Sequence, residues 1–306
     1  MTKYVIKRVI AAILTLWALV TIVFFLVRLM PGEPFTNPKL TPQVIENMNK
    51  YYGFDKPLIV QYFQYLGNLI HGDFGFSMKY TNKTVNYIIG QTFPFSADLG
   101  IRALCLAISI GLVLGILAAR KRGTKIDFFC VIVAIIGTSI PDFIMGALLQ
   151  YFFGIKWGLL PVAQYKGIAY TILPATALAF YTLASVSRIM RASMLEVTSQ
   201  DYIKTARSKG LSETRITVRH QIRNAIMPVM TILGPTVASV LTGTFVIESI
   251  FAIPGMGKYY VESVNNNDYS MILGMTLFYG IFLVTANLIV DILYGVADPR
   301  VRIGER

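Results

Sequence analysis

The 306-residue chain is 55% hydrophobic and only 14% charged, and its mean hydropathy is +0.59. A soluble domain carries about a quarter charged residues, so this composition excludes a disordered chain, a coiled coil and an ordinary soluble enzyme. The charge that remains is lopsided, 28 Lys and Arg against 16 Asp and Glu, for a net +12. Such a balance marks nucleic acid, a membrane surface or topology.

A helix needs about 20 apolar residues to cross a hydrocarbon layer about 30 Å thick. Six runs qualify, at residues 9–30, 95–119, 128–153, 170–190, 227–251 and 271–294. The first has a basic flank (Lys3, Lys7, Arg8). Its apolar stretch is too long for a signal peptide and no small-residue cleavage site follows, so it reads as a retained anchor. Arg28, at its outer end, can snorkel to the surface.

The polar segment 31–93 opens on a Pro/Gly-rich turn and offers helical patterns at 42–52 and 57–70. Each starts on Pro, whose missing N–H costs nothing there. Tyr62, Phe63 and Tyr65 form either a face lying at the membrane interface or part of a packed lid.

In the second span Asp98 and Arg102 are one turn apart and can pair, while Gly111-x-x-x-Gly115 permits close helix approach. Cys105 and Cys130 fall inside spans and read as packing residues rather than a disulfide. The third span carries Pro141-Asp142 at its middle, and the fifth carries Gly234-Pro235 with Thr242, Gly243 and Thr244. Broken helices with polar residues are tolerated only against protein or a water-filled cavity. Ser139, Asp142, Tyr181, Ser185, Thr244 and Glu248 are therefore candidates to line a cavity or gate, or equally to bond helix to helix. Asn287 and Asp291 are one turn apart on the sixth span.

The second long polar segment is 191–225. Asp201-Tyr-Ile-Lys-Thr-Ala-Arg-Ser-Lys-Gly210 reads as a short helix ended by its Gly, and Ser212 begins another that carries Arg215, Arg219 and Arg223 on one face. This pair cannot bury all of its apolar side chains Tyr202, Ile203, Ala206, Leu211 and Ile216 against itself, which favours a protein partner over contact of the basic stripe with lipid headgroups. With the N-terminus cytoplasmic and six alternating spans, 18 of the 28 basic residues fall inside. The short loop Arg120–Lys125 is basic, and short loops govern orientation. Most of the +12 is then topology, and nucleic acid loses its support.

No chemistry of catalysis appears. Ala252-Ile-Pro-Gly-Met-Gly-Lys258-Tyr259 lacks the first Gly and the final Ser/Thr of a phosphate-binding loop, and His71 and His220 lie on opposite sides of the membrane, so they form no zinc site.

Longer motifs carry a resemblance. They are Arg28-Leu-Met-Pro-Gly32, Tyr52-Gly-Phe-Asp-Lys-Pro57, Gly72-Asp-Phe-Gly75, Arg191-Ala-Ser-Met-Leu-Glu-Val197, Gln200-Asp-Tyr-Ile-Lys-Thr-Ala-Arg-Ser-Lys-Gly-Leu-Ser212, Phe251-Ala-Ile-Pro-Gly-Met-Gly257 and Asp298-Pro-Arg300. In this order they resemble the permease subunits of ABC importers, chiefly the B-type subunit of oligopeptide, dipeptide and related nickel permeases. Of the family's Glu-Ala-Ala-x-x-x-Gly pattern only Ala206 and Gly210 match, Lys204 and Thr205 departing from it.

The resemblance implies an all-α integral membrane protein: a MetI-like bundle of six transmembrane helices with an extracytoplasmic insertion after the first span. It divides the chain into residues 1–94 and a permease core at 95–306. Asp201, Tyr202, Lys204, Thr205, Ala206, Arg207, Gly210 and Leu211 are implied to couple to an ATPase. Ala206 is expected to permit close docking and Tyr202 to act as a knob. The implied partners are a second permease subunit, two ATP-binding subunits, an extracytoplasmic solute-binding protein, a peptide and membrane lipid. ATP and Mg belong to the partner subunits, and this chain is expected to hold no cofactor or metal and to be no enzyme. It is expected in the bacterial cytoplasmic membrane with both termini inside. A nickel or metallophore permease and a self-contained secondary transporter are the alternatives. The latter requires inverted repeats, which the two halves do not display.

Overall fold

The computed structural model describes residues 2–30, 46, 49–80, 83–241 and 245–297, almost all of them helical. Among the described residues the only β pairing is an isolated antiparallel bridge between Phe76 and Thr84. The helices are α1 (Thr2–Arg28), α2 (Leu58–Ile70), α3 (Val85–Arg120), α4 (Lys125–Ser139), α5 (Asp142–Leu149, running on as a π-helical turn over Gln150–Lys156) and α6 (Ile168–Thr198). Then come α7 (Asp201–Ser208), α8 (Glu213–Ile216), α9 (Ile222–Ala225), α10 (Met227–Leu241), α11 (Phe245–Ile250), α12 (Met256–Asn265) and α13 (Tyr269–Ala297). Among the described residues five stretches are long and apolar enough to cross a membrane, and a sixth is counted if the bent pair α4 and α5 forms one span.

That bent pair carries the break expected at Pro141-Asp142 in the third span. Ile140 is extended, as a residue before proline prefers, and Pro141 opens a new helix instead of continuing the old one. The two halves meet at 109°, so the segment is no single rod. The second span starts earlier than hydropathy suggests, at Val85, because the Thr84 hydroxyl caps the helix by accepting from the Tyr87 amide at 3.1 Å. The helix runs on through Pro94.

The main core joins α3, α6, α10 and α11, with Leu99, Ala107, Ala177, Val240 and Phe251 all buried. Gly111 and Gly115 do allow the close approach their spacing suggests. A Cβ on Gly111 would sit 2.8 Å from the Leu183 carbonyl oxygen, and one on Gly115 2.6 Å from that of Ser187. The backbones of α3 and α6 are therefore in contact. Asn287 packs where a Cβ on Gly234 would meet it; the Asp291 side chain lies outside the described residues.

A second core forms where α2 lies against α1 and the start of α13. Tyr62 and Tyr65 are buried there while Phe63 is exposed, so two of the three aromatics belong to a packed lid. Of the expected helix at 42–52, the described residues 46 and 49–52 are helical. Arg28 is half-buried. Its guanidinium lies 4.6 Å from the centre of the Phe54 ring and 5.2 Å from that of Phe24, a cation–π environment.

Candidate functional site

Where α4 breaks into α5, the bend opens a cavity of about 670 Å³ against α6 and α10. Ser139, Asp142, Tyr181 and Ser185 all line it. Asp142 is the only acidic or basic side chain among the lining residues. One of its oxygens accepts from the Phe143 amide at 2.8 Å, so the carboxylate sits at the start of α5, where the helix dipole favours an anion. Thr138 and Thr236 turn their hydroxyls back onto helix carbonyls at 3.0 and 2.7 Å. Ser139, Tyr181 and Ser185 form no such bond among the described residues, and the Tyr181 side chain is 58% exposed.

The cavity also recruits Thr182, Thr236 and Ser239, which sequence reasoning left out. Their signal is a polar stripe at helical spacing, Tyr181-Thr182-Ser185 on α6 and Thr236-Ser239 on α10, on the faces that look at the bend.

Glu248 is not among them. It is 1% exposed on α11 and accepts from the Ser96 hydroxyl at 2.6 Å and from the Gly257 amide at 2.9 Å. Ser96 in turn accepts from the Met256 amide at 2.9 Å. The run Phe251–Gly257 thus folds over the carboxylate and presents the N-terminus of α12 to it, an arrangement suited to a buried anion. Glu248 ties a turn to α3 and lines no part of the large cavity. Thr244 lies outside the described residues.

Following α6, the basic segment 191–225 folds into a compact unit. Asp201 opens α7, and the helix ends at Ser208 with Gly210 at φ +75°, a left-handed conformation that favours glycine. Ser212 caps α8 by accepting from the Arg215 amide at 3.4 Å. Ile203, Ala206 and Ile216 are buried together, with Val197 and Leu211 packed against them. As expected, the pair does not bury all its apolar side chains, Tyr202 staying 44% exposed; one expectation is corrected, because Ala206 faces that small core instead of an outside surface. A short helix has two faces, and the 203/206 spacing belongs to the inner one.

The outer face of α7 carries Asp201, Tyr202, Lys204, Thr205 and Arg207, all exposed. Tyr202 is 44% exposed and its hydroxyl accepts from the Asn224 amide group at 3.1 Å. Arg207 grips Glu213 with two bonds, 2.8 and 3.2 Å, and this pairing holds the Glu213 carboxyl below its usual range.

Two ion pairs brace the bundle. Arg102 donates to Asp98 at 2.8 Å, as the i, i+4 spacing suggests, and the Tyr165 hydroxyl joins the same carboxylate. Arg191 grips Asp127 with two bonds, 2.7 and 2.9 Å, and the Gly123 amide adds a third at 3.0 Å. The latter pair fixes the 121–124 turn to the C-terminal part of α6. Asp127→Ala strands the arginine and is expected to cost about 2 kcal/mol, between values for exposed and buried pairs. The detergent-to-SDS unfolding midpoint of the purified protein measures it, and an unchanged midpoint refutes it.

A polar cavity within a multi-span helical bundle, with an ordered unit on the basic face, defines a membrane transport protein. The chain belongs to the binding-protein-dependent transport system inner membrane component family, whose pattern matches residues 111–303. The corresponding N-terminal pattern matches residues 1–99. It is 44% identical over 307 residues to the dipeptide transport system permease protein DppB of Bacillus subtilis (strain 168), covering 100% of both chains. It is 42% identical over 305 residues to the oligopeptide transport system permease protein OppB of Escherichia coli (strain K12), covering 99% of this chain and 100% of the relative.

Two solved structures share the fold. An amino acid ABC transporter chain crystallised with histidines superposes at TM-score 0.54 with 16% identity, over 68% of this chain and 92% of that one. A chain of the inward-facing MetNI methionine ABC transporter superposes at TM-score 0.54 with 15% identity, over 69% and 97%. The chain is thus an all-helical, multi-pass inner-membrane permease with a MetI-like fold.

Proposed function

We propose that this chain is a transmembrane permease subunit of a peptide ABC importer, supplying half of the path and coupling it to ATP hydrolysis on separate subunits. The observation that carries the reading is the 670 Å³ cavity at the 109° bend, lined by hydroxyls and one carboxylate. The same helix α6 that walls the cavity runs directly into the α7–α8 unit. Displacing that unit displaces Tyr181 and Ser185 through one rigid element. The dipeptide and oligopeptide relatives favour peptide over a nickel complex.

In this reading an extracytoplasmic binding protein delivers the peptide, and a second permease subunit closes the other side of the path. Two ATPase subunits carry ATP and Mg and press on the outer face of α7 from the cytoplasm, where both termini lie. This chain itself holds no cofactor and catalyses no reaction. Asp142 is the charged contact on the path and takes a peptide ammonium group. A hydrogen bond to a charged group contributes about 1.5–3 kcal/mol, so Asp142→Asn is expected to lower uptake of peptides with a free amino terminus about tenfold or more. N-acetylated peptides are expected to be insensitive. The assay is peptide uptake by the whole transporter reconstituted in vesicles with its binding protein. Equal kinetics for both peptide classes in Asp142→Asn remove Asp142 from the path. Absence of ATP-dependent peptide uptake by the unaltered transporter overturns the function itself.

A further inference from the structure

Under the extracytoplasmic lid, three buried polar atoms find no partner among the described residues: Arg28 Nε, Gln61 Oε1 and Tyr65 Oη. All three side chains line one small cavity between α1, α2 and the start of α13. Gln61 is 5% exposed and Tyr65 is 9% exposed. A buried donor or acceptor left unpaired costs about 1–3 kcal/mol, and native proteins leave few of them. Three in one place mark a site that holds something.

Size and chemistry narrow the guest. The cavity offers about 20 Å³ to a water-sized guest, just above what one water molecule needs. An amino acid, a phosphate or a lipid headgroup is far too large. Arg28 presents an N–H and a positive charge, which repels a metal cation. Gln61 presents a carbonyl oxygen, which repels a halide. Its orientation is not open to a flip, because the amide nitrogen already donates to the Lys56 and Phe54 carbonyls at 2.8 and 3.5 Å. Burial pushes the Tyr65 hydroxyl up from its usual range, so it remains a neutral O–H that can donate or accept.

We infer that one structural water is bound here, accepting from Arg28 Nε, donating to Gln61 Oε1 and completing its third bond with the Tyr65 hydroxyl. Three bonds is the usual complement of a buried water. Gln61 and Tyr65 stand one turn apart on α2, and Arg28 ends α1 beneath them, so the water bridges the lid to the first span. It is the polar link in an otherwise aromatic contact, in which Phe24 stacks on Tyr65 with ring centres 5.8 Å apart.

The test is density in the assembled transporter at a resolution of about 2 Å, where ordered waters appear. One spherical peak within about 3.2 Å of all three atoms is expected. Featureless density there, an elongated ligand, or a protein group occupying the place overturns the inference. A second measurement uses unfolding midpoints for Tyr65→Phe, Arg28→Lys and the pair together. Tyr65→Phe deletes only the hydroxyl, and Arg28→Lys keeps the charge while deleting Nε. Groups sharing one water give a double variant whose midpoint falls by less than the two single shifts combined. Additive shifts mean that they share nothing and overturn it.

Discussion

Gly115→Val is expected to destabilise the bundle by about 3 kcal/mol, the upper part of the usual range for overpacking. A Cβ at this position meets the Ser187 carbonyl oxygen at 2.6 Å, Met190 Cβ at 2.7 Å and the Arg191 amide at 3.2 Å. Two of those three atoms are backbone and cannot turn aside. Relief requires α3 and α6 to part, and Met190, itself fully buried, moves with α6. The separation also reaches Arg191 and its grip on Asp127. Gly90 on the same helix supplies the control, since nothing lies within 4 Å of a Cβ there. Gly90→Ala is expected to be neutral or slightly stabilising, because glycine is the poorer helix former. SDS-unfolding midpoints of the two variants should therefore diverge. A Gly115→Val protein that unfolds with the wild-type midpoint removes the close α3–α6 contact from the account.

What was legible in the sequence is what repeats over one helical turn. Hydropathy marks the spans, the Asp98–Arg102 and Gly111–Gly115 spacings place those pairs on one face, and Gly210 and Ser212 mark a helix end and start. The rest depends on contacts far apart along the chain. Glu248 meets Ser96 across 152 positions and Asp127 meets Arg191 across 64, distances at which no local period operates. The bend at Pro141 was visible as a break, but its 109° angle follows from what packs on either side. Ala206 shows the converse error. A small residue in an exposed segment suggests a docking surface, yet its i−3 neighbour Ile203 is fully buried, and that pairing turns both inward. Four of the six cavity candidates nonetheless fall on one cavity. Polar side chains in an apolar span have few places to go, and Ser139, Asp142, Tyr181 and Ser185 took the same one.

That inward turn separates two kinds of variant in the proposed coupling unit. Tyr202 stands outside on α7, so Tyr202→Ala removes an exposed aromatic without touching the buried cluster. An aromatic anchor at an interface contributes about 2 kcal/mol or more, so ATPase binding is expected to weaken about thirtyfold, with peptide uptake falling alongside. Tyr202→Phe, which keeps the ring and loses only the bond to Asn224, is expected to retain most binding. Ala206→Trp and Gly210→Pro act differently. The first forces an indole between Ile203 and Ile216, and the second demands φ near −65° where the backbone holds +75°. Both are expected to unfold the unit itself. Limited trypsin digestion separates the two cases, because the segment is rich in Lys and Arg and resists cleavage only while folded. Tyr202→Ala should keep the wild-type digestion pattern and lose the ATPases on copurification; Ala206→Trp and Gly210→Pro should lose both. ATPases that copurify with Tyr202→Ala at full yield place the docking surface elsewhere on the basic face.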